Sequence, residues 1–348
     1  MGTYFKSRLD VDTAYGDGAP RVMRWRAPYL ICAEYGSLTI YDMSDPSSIV
    51  GKDSELMIND TIITAMIVDP DDEDRVYLCN QFNDNVYSFD ISDPTAIVKD
   101  DQLAFADALT PILMAKNGNY VYVAGGGFSV HIINVSDPTS LSEEALFTDA
   151  TNIRAAGILV DPTGTYLFVT GNGMFSVFTF SGASLVFNNK TAVTYGGLDY
   201  QRMAQSADGY VYVQDYANDR IQIIDATDPT NVSLAGTLTD ATYLDGVTGL
   251  QVVGDLLYAF NNISGVTDRF MSVWDITNRS SPTRLESLDL TADAPWATGR
   301  IQAFVVTDPV ANLYIGRFSS TGVASYGAAE PGRAKGNVAH PLVGAAFI

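Results

Sequence analysis

The stretch "NVYSFDISDPTAIV", Asn85 to Val98, decides how this chain folds. An apolar, strand-like run ends in Asp-x-Ser-Asp-Pro, and the chain then turns apolar again. The same figure returns as "SLTIYDMSDPSSIV" at 37–50, "SVHIINVSDPTSL" at 129–141 and "RIQIIDATDPTNV" at 220–232. Repetition at a fixed period outranks every other sequence signal, because it sets the architecture before any single element is read.

Aligning on the first Asp gives the column Asp42, Asp90, Asn134, Ser181, Asp225, Asp275 and Gly327, at spacings of 48, 44, 47, 44, 50 and 52 residues. One position earlier stand Tyr41, Phe89, Ile133, Phe180, Ile224, Trp274 and Tyr326, all large and apolar. Four positions before the Asp stand Leu38, Val86, Val130, Val177, Ile221, Met271 and Val323, again all apolar. Two further strand signals precede each copy, joined by tight-turn residues, as in "ILVDPTGTYLFVTG" and "MAQSADGYVYVQD". A weaker fourth strand follows each Asp-Pro. Four strands in roughly 40–50 residues is the period of a propeller blade. The expected fold is an all-β, seven-bladed β-propeller with four antiparallel strands per blade. Its third strands are expected near Leu38–Tyr41, Val86–Phe89, Val130–Ile133, Val177–Phe180, Ile221–Ile224, Met271–Trp274 and Val323–Tyr326.

The polar string has a local explanation. A third strand packed between neighbouring blades is apolar on both faces, then must reverse sharply into the outer strand. Asp and Ser bond nearby backbone N–H groups, and Pro fixes φ while donating nothing. Turn chemistry therefore accounts for these acids better than a ring of cation sites does.

At these residues a family resemblance enters. "SFDISDPTAI", "IIDATDPTNV" and "IYDMSDPSSI" resemble the LVIVD-repeat β-propellers, whose repeat centres on a Leu-Val-Ile-Val-Asp-like strand followed by Ser-Asp-Pro. The likeness spans residues 21–331 and is strongest in blades one, two, three and five. Blade four lacks the Asp-Pro, and the Trp-Asp of blade six lacks the Gly-His partner of a WD40 repeat. The resemblance implies a propeller that binds or is displayed on a surface, and it carries no defined catalytic set.

The propeller domain is expected to cover 1–331. "RLDVDTAY" at 8–15 is similar to "SLDLTADA" at 287–294, the outer strand of blade six. The N-terminal strand near Tyr4–Val11 is therefore expected to complete blade seven and close the ring, which removes an exposed edge. Residues 332–348 remain as a tail. Its apolar residues Leu342, Val343, Phe347 and Ile348 have no blade column to fill, and they are the candidate interaction residues.

Composition excludes several roles. A formal charge of −21, with six lysines and fourteen arginines, argues against nucleic acid, which needs a basic face. It suits a solvated surface in a saline medium, one that meets cations, or simply solubility. No apolar run reaches the 18 residues of a membrane span, so membrane insertion is not expected. The N-terminus shows no apolar signal-peptide core. Two cysteines, Cys32 and Cys79, make no disulfide framework; both read as buried free thiols in one column of adjacent blades.

Candidate chemistry is sparse. His131 and His340 are the two histidines, and His131 lies in a third strand, where a packed, hydrogen-bonded role is expected. Its column is read as Thr39, Tyr87, Phe178, Gln222, Ser272 and Ala324 in the other copies. The acidic run "DPDDED" offers Asp69, Asp71, Asp72 and Asp74 as candidate metal ligands, with Ca²⁺ the cation such oxygens take. The run lacks the EF-hand's central Gly and terminal Glu, so a solvated turn is expected and no cofactor. Six Asn-x-Ser/Thr sequons, at Asn59, Asn134, Asn189, Asn231, Asn262 and Asn278, arise partly from the turn motif itself.

The reading is a non-catalytic propeller acting through protein partners or self-assembly, as part of a symmetric oligomer. A virion protein or an extracellular surface in a saline environment is the concrete setting, with a cytoplasmic one as the alternative. The competing function is a lactonase-like hydrolase with a divalent cation in the central channel. Arg154, Asp199, Arg202 and Arg300 would then be channel-mouth candidates, although their offsets from the repeat columns differ.

Overall fold

A computed structural model describes residues 8–10, 22–33, 36–44, 50–56, 63–80, 83–105, 111–125, 127–153, 156–171, 173–193, 203–261, 270–289, 301–306, 312–317 and 323–327. Its described elements are 28 strands and one short 3-10 turn. The chain opens with β1 (Arg8–Asp10). Blade one follows as β2 (Val22–Arg26), β3 (Tyr29–Ala33), β4 (Ser37–Asp42) and β5 (Val50–Leu56). Blade two is β6 (Ile63–Val68), β7 (Arg75–Asn80), β8 (Asn85–Asp90) and β9 (Val98–Ala104). Blade three is β10 (Pro111–Asn117), β11 (Tyr120–Gly125), β12 (Ser129–Asn134) and β13 (Ser142–Thr148). Blade four is β14 (Gly157–Val160), β15 (Tyr166–Gly171), β16 (Met174–Phe180) and β17 (Leu185–Ala192). Blade five is β18 (Met203–Gln205), β19 (Tyr210–Asp215), β20 (Arg220–Asp225) and β21 (Ser233–Thr239). Blade six is β22 (Val247–Val253), β23 (Leu256–Asn261), β24 (Phe270–Asp275) and β25 (Thr283–Asp289).

Each of these six sheets runs antiparallel in chain order from inner to outer strand. A further four-stranded sheet is described by its backbone pairing. It joins β26 (Ile301–Val306), β27 (Asn312–Arg317) and β28 (Val323–Gly327) to β1, in the order β1-β28-β27-β26. Arg8, Leu9 and Asp10 pair with Tyr326, Ser325 and Ala324, which is the N-terminal closure expected from the sequence. The first strands meet in a circle: β2, β6, β10, β14, β18, β22 and β26 each touch the next, and β26 touches β2. The fold is thus a β-propeller with four antiparallel strands per blade.

The core lies between blades. Ile31, Ala33, Leu38 and Ile40 of blade one meet Met66, Val76, Leu78, Tyr87 and Phe89 of blade two. Alternation explains why the middle strands are apolar throughout: successive residues face opposite neighbouring blades, and both are buried.

Register corrects two readings. In blade four, Tyr166 pairs with Thr179 and Leu167 with Phe178, as Tyr29 pairs with Asp42 and Leu30 with Tyr41. Thr179 and Phe178, not Ser181 and Phe180, therefore hold the repeat columns. With no Asp-Pro turn, β16 runs one residue further, to Phe180, and closes through Ser181, whose N–H bonds the Ser184 carbonyl. The same shift puts Ser176, not Phe178, level with His131. The two cysteines also do not share a column. Cys32 pairs with Thr39, flanked by Ile31 and Ala33, which face blade two, so Cys32 faces the other way. Cys79 pairs with Val86 and faces blade three. The loop between second and third strands is longer in blade two, so counting back from Asp does not preserve register.

Candidate interaction surface

The repeated turn is built from two consecutive side-chain-capped turns. Asp90 Oδ1 accepts the Ser92 N–H at 2.8 Å, then Asp93 Oδ1 accepts the Thr95 N–H at 2.9 Å and its hydroxyl at 2.7 Å. Asn134–Ser136 and Asp137–Thr139 repeat this, as do Asp225–Thr227 and Asp228–Thr230. An Asp or Asn bonding its backbone two residues on is the local competitor to strand pairing, so it ends the strand where it occurs. The residue between the two caps is buried, and its N–H reaches back to the first hairpin: Met43 to Pro28, Ile91 to Asp74, Val135 to Asn119, Ala226 to Gly209 and Ile276 to Asp255. Bonds from Ser44 hold the Asp42 carboxyl down at about 2, and bonds from Thr95, Thr139 and Thr230 lower Asp93, Asp137 and Asp228.

The turns of blades two, three and five are also gripped by the blade before each. The outer-strand position opposite Ile40 and its counterparts reads Asp53, Asp101, Ala145, Asn189, Gly236 and Glu286. Asp53 Oδ2 accepts the Ile97 N–H at 2.6 Å, and Asp101 Oδ2 accepts the Leu141 N–H at 2.7 Å. Asn189 donates to the Thr230 carbonyl at 2.6 Å. At Gly236 the Ser280 backbone comes so close that a Cβ would stand 2.9 Å from its carbonyl oxygen. Ala145 faces blade four, which has no Asp-Pro turn to hold.

The acidic hairpin of blade two forms ion pairs with its neighbours. Lys116 of blade three is buried and lies 2.6 Å from Asp69 and 2.8 Å from Asp71. Asp72 faces Arg75 at 3.7 Å, and Asp74 pairs with Arg26 of blade one, which also donates to the Ile91 carbonyl at 3.0 Å. The expected solvated turn is thus an inter-blade tie. Among the described residues, no three acidic, His or Cys groups come together as a metal would need. On the same side of the disc Arg279 reaches Asp208 at 2.8 Å and Asp255 at 3.3 Å, joining blades five and six.

The remaining candidates are placed as follows. His131 is buried, its Nδ1 is 2.6 Å from Glu143, and its ring packs at a tilt against Phe105, as a packed histidine would. Burial pushes the Cys79 thiol up to about 12, where it is unreactive. Leu342, Val343, Phe347 and Ile348 lie outside the described residues, as do His340, Arg154, Asp199, Arg202 and Arg300. Arg24, on the innermost strand of blade one, was not singled out by sequence; it is buried, and burial lowers it to about 10. Among the described residues no helix is long and apolar enough to cross a membrane.

What the disc shows to solvent is its rim. Val50, Val98, Leu146, Val186, Phe187, Leu234 and Leu285 are large apolar side chains left exposed on the outer strands. The rim differs by sector. Outer strands of blades one to three carry Asp53, Glu55, Asp100, Asp101, Glu143 and Glu144 beside Lys52 and Lys99, and β25 carries Glu286 and Asp289 beside Arg284. β17 has Lys190 as its one charged residue and β21 has none.

An LVIVD repeat model matches residues 29–55, 115–149 and 206–240, the strand-turn-strand portions of blades one, three and five. No curated relative is matched. A chain in a crystal structure of the mitotic checkpoint complex is similar at TM-score 0.67 and 11% identity, covering 94% of this chain and 96% of that one. A protein from Lactobacillus plantarum is similar at TM-score 0.62 and 15% identity, covering 77% of this chain and 84% of that one. At such identities the likeness is one of fold alone. The chain is a β-propeller that carries LVIVD repeats.

Proposed function

We propose that this protein is a non-catalytic propeller, a rigid disc that works by protein contact within a larger assembly. The observation that carries the reading is the rim, where outer strands expose Val98, Val186, Phe187 and Leu234 next to unpaired strand edges among the described residues. Exposed apolar groups beside open edges are the means by which sheets recruit partners. Carboxylate grips and inter-blade ion pairs hold the disc stiff, so little order is lost on docking. The high acidity suits a saline external setting such as a virion, where salt screens repulsion between copies. The apolar residues Leu342, Val343, Phe347 and Ile348 are proposed as a second contact.

The test is turnover. The purified protein is assayed for lactone hydrolysis with added Ca²⁺ and with chelator. No hydrolysis above buffer is expected under either condition. Calcium-dependent, chelator-sensitive turnover would replace the scaffold reading with that of a channel hydrolase.

A further inference from the structure

We propose that the contact between the carboxyl groups of Asp219 and Asp245 is a proton-operated latch between blades five and six. A shared proton holds the seam closed; its loss sets two like charges against one another and loosens the loop that enters blade six.

The fold sets the place. Asp219 follows the short 3-10 turn Tyr216–Asn218, in the loop between the second and third strands of blade five. Asp245 stands in the loop that carries the chain from β21 to β22. Asp219 lies in the left-handed region at φ 52°, and Gly246 at φ 57°. Asp219 Oδ1 accepts the Gly246 N–H at 3.0 Å, and the Asp245 carboxyl comes within hydrogen-bonding contact of the Asp219 carboxyl. Both acids are half-buried. The loop around Asp245 is well fastened. Asp240 caps the Thr242 and Tyr243 amides at 3.0 Å, the Leu244 N–H reaches the Asp240 carbonyl at 2.9 Å, and Leu244 is buried. Just beyond, Gln214 of blade five donates to the Val247 carbonyl. A charge gained at the pair therefore acts directly on the seam.

Other inter-blade contacts join acid to base: Lys116 to Asp69, Arg26 to Asp74, and Arg279 to Asp208. Here acid meets acid. The cations nearby are engaged elsewhere. Arg220 lies 2.7 Å from Asp215, and Arg284 lies 3.9 Å from Asp240 with its guanidinium 3.9 Å from the centre of the Tyr243 ring. Burial, then the charge and hydrogen bond of Asp219, raise Asp245 above the ordinary 3.8. Two such carboxyls titrate as a pair and hold one proton between them over a range of pH. The sign is opposite to that of the lowered turn acids. A carboxyl raised in the folded state contributes stability that is fully present below its ordinary value and is lost as pH rises through the raised one. The latch closes in acid and loosens toward neutrality. Like charges set together without a local cation break the usual rule for a stable fold, and such breaks mark places kept for their response.

Asp245→Asn puts a permanent amide donor where the proton sits, and Asp219 still accepts the Gly246 N–H. Thermal melts of the purified protein at about pH 4 and about pH 7.5 read the effect. The variant is expected to melt about 2 °C or more above the wild type at the higher pH and level with it at the lower. Protection of the Gly246 amide, corrected for the intrinsic pH dependence of exchange, should fall by about tenfold between those pH values in the wild type and stay constant in Asp245→Asn. Glu73→Gln removes an equal charge from an exposed turn and should open no gap that depends on pH. A ¹³C titration of the unaltered protein needs no variant, and it should find the Asp245 carboxyl ionising above 3.8. A carboxyl that ionises at or below that value overturns the proposal. So does a melting gap equal at both pH values, or one that Glu73→Gln reproduces.

Discussion

Asp42 shows how much of a blade is set by one carboxylate. Its Oδ1 takes the Ser44 N–H at 2.8 Å and the Ser44 hydroxyl, and Lys52 sits 3.0 Å from Oδ2. These bonds favour the ionised form, which is why the group titrates at about 2 instead of its ordinary 3.8. The sign follows from linkage. A carboxyl lowered in the folded state adds stability that is fully present above its unfolded value and fades as pH falls toward 2. Asp93, Asp137 and Asp228 shift in the same direction and add to the acid limb. Asp42→Asn keeps an acceptor for the turn, as Asn134 does in blade three, but cannot titrate. The variant is expected to melt somewhat below the wild type at pH 6, having lost the charge that Ser44 and Lys52 stabilise, and to lose less stability than the wild type between about pH 4 and 2. Thermal melts across that range measure it. These caps were legible in the sequence because donor and acceptor lie two residues apart. The hairpin acids were legible as charges but not as ties: Lys116 is 45 residues from Asp71, a pairing that only the packed ring creates.

At the scale of the element, the Asp-Pro turn joins blades as well as strands. Asp53 and Asp101 hold the amides of Ile97 and Leu141 in the next blade, and each bond removes an otherwise unsatisfied N–H from a half-buried edge. Asp53→Ala and Asp101→Ala are each expected to cost about 1–2 kcal/mol in urea unfolding. Hydrogen exchange separates them: Asp53→Ala should expose the Ile97 amide and leave the Leu141 amide protected, and Asp101→Ala the reverse. Loss of protection at both amides in one variant would mean the grips are not local. Blade four carries the complementary lesson. Without the turn it keeps Leu185 buried, in the place of Ile97 and Leu141, by extending β16 and closing with a short hairpin. The core demand survives and the turn chemistry does not.

For the whole molecule the decisive contact is the pairing of β1 with β28. Residues far apart in sequence close the last sheet, and the circle of first strands depends on that sheet holding its place. A chain lacking residues 1–10 is expected to melt several degrees lower, by roughly the loss of a short strand's pairing, and to aggregate as it unfolds, because β28 becomes an open edge. Calorimetry with light scattering checks this, and an unchanged melt would show that the ring does not need β1.

The sequence by itself determined what is local or periodic. The apolar column before each Asp, the four strands per unit and the paired Asp caps all act within a few residues and repeat along the chain. The similarity between 8–15 and 287–294 even pointed to closure, because a strand that completes a blade must resemble the outer strands of other blades. Tertiary structure decided what depends on parity and on neighbours. Cys32 and Cys79 face opposite interfaces because loop lengths between their strands differ. Thr179 takes the repeat's Asp position because a missing turn lets β16 run on. The acids at Asp69–Asp74 meet cations from the blades on either side. Side chains alternate face with every residue, so one inserted residue sends a group to a different partner while the pattern in the sequence scarcely changes.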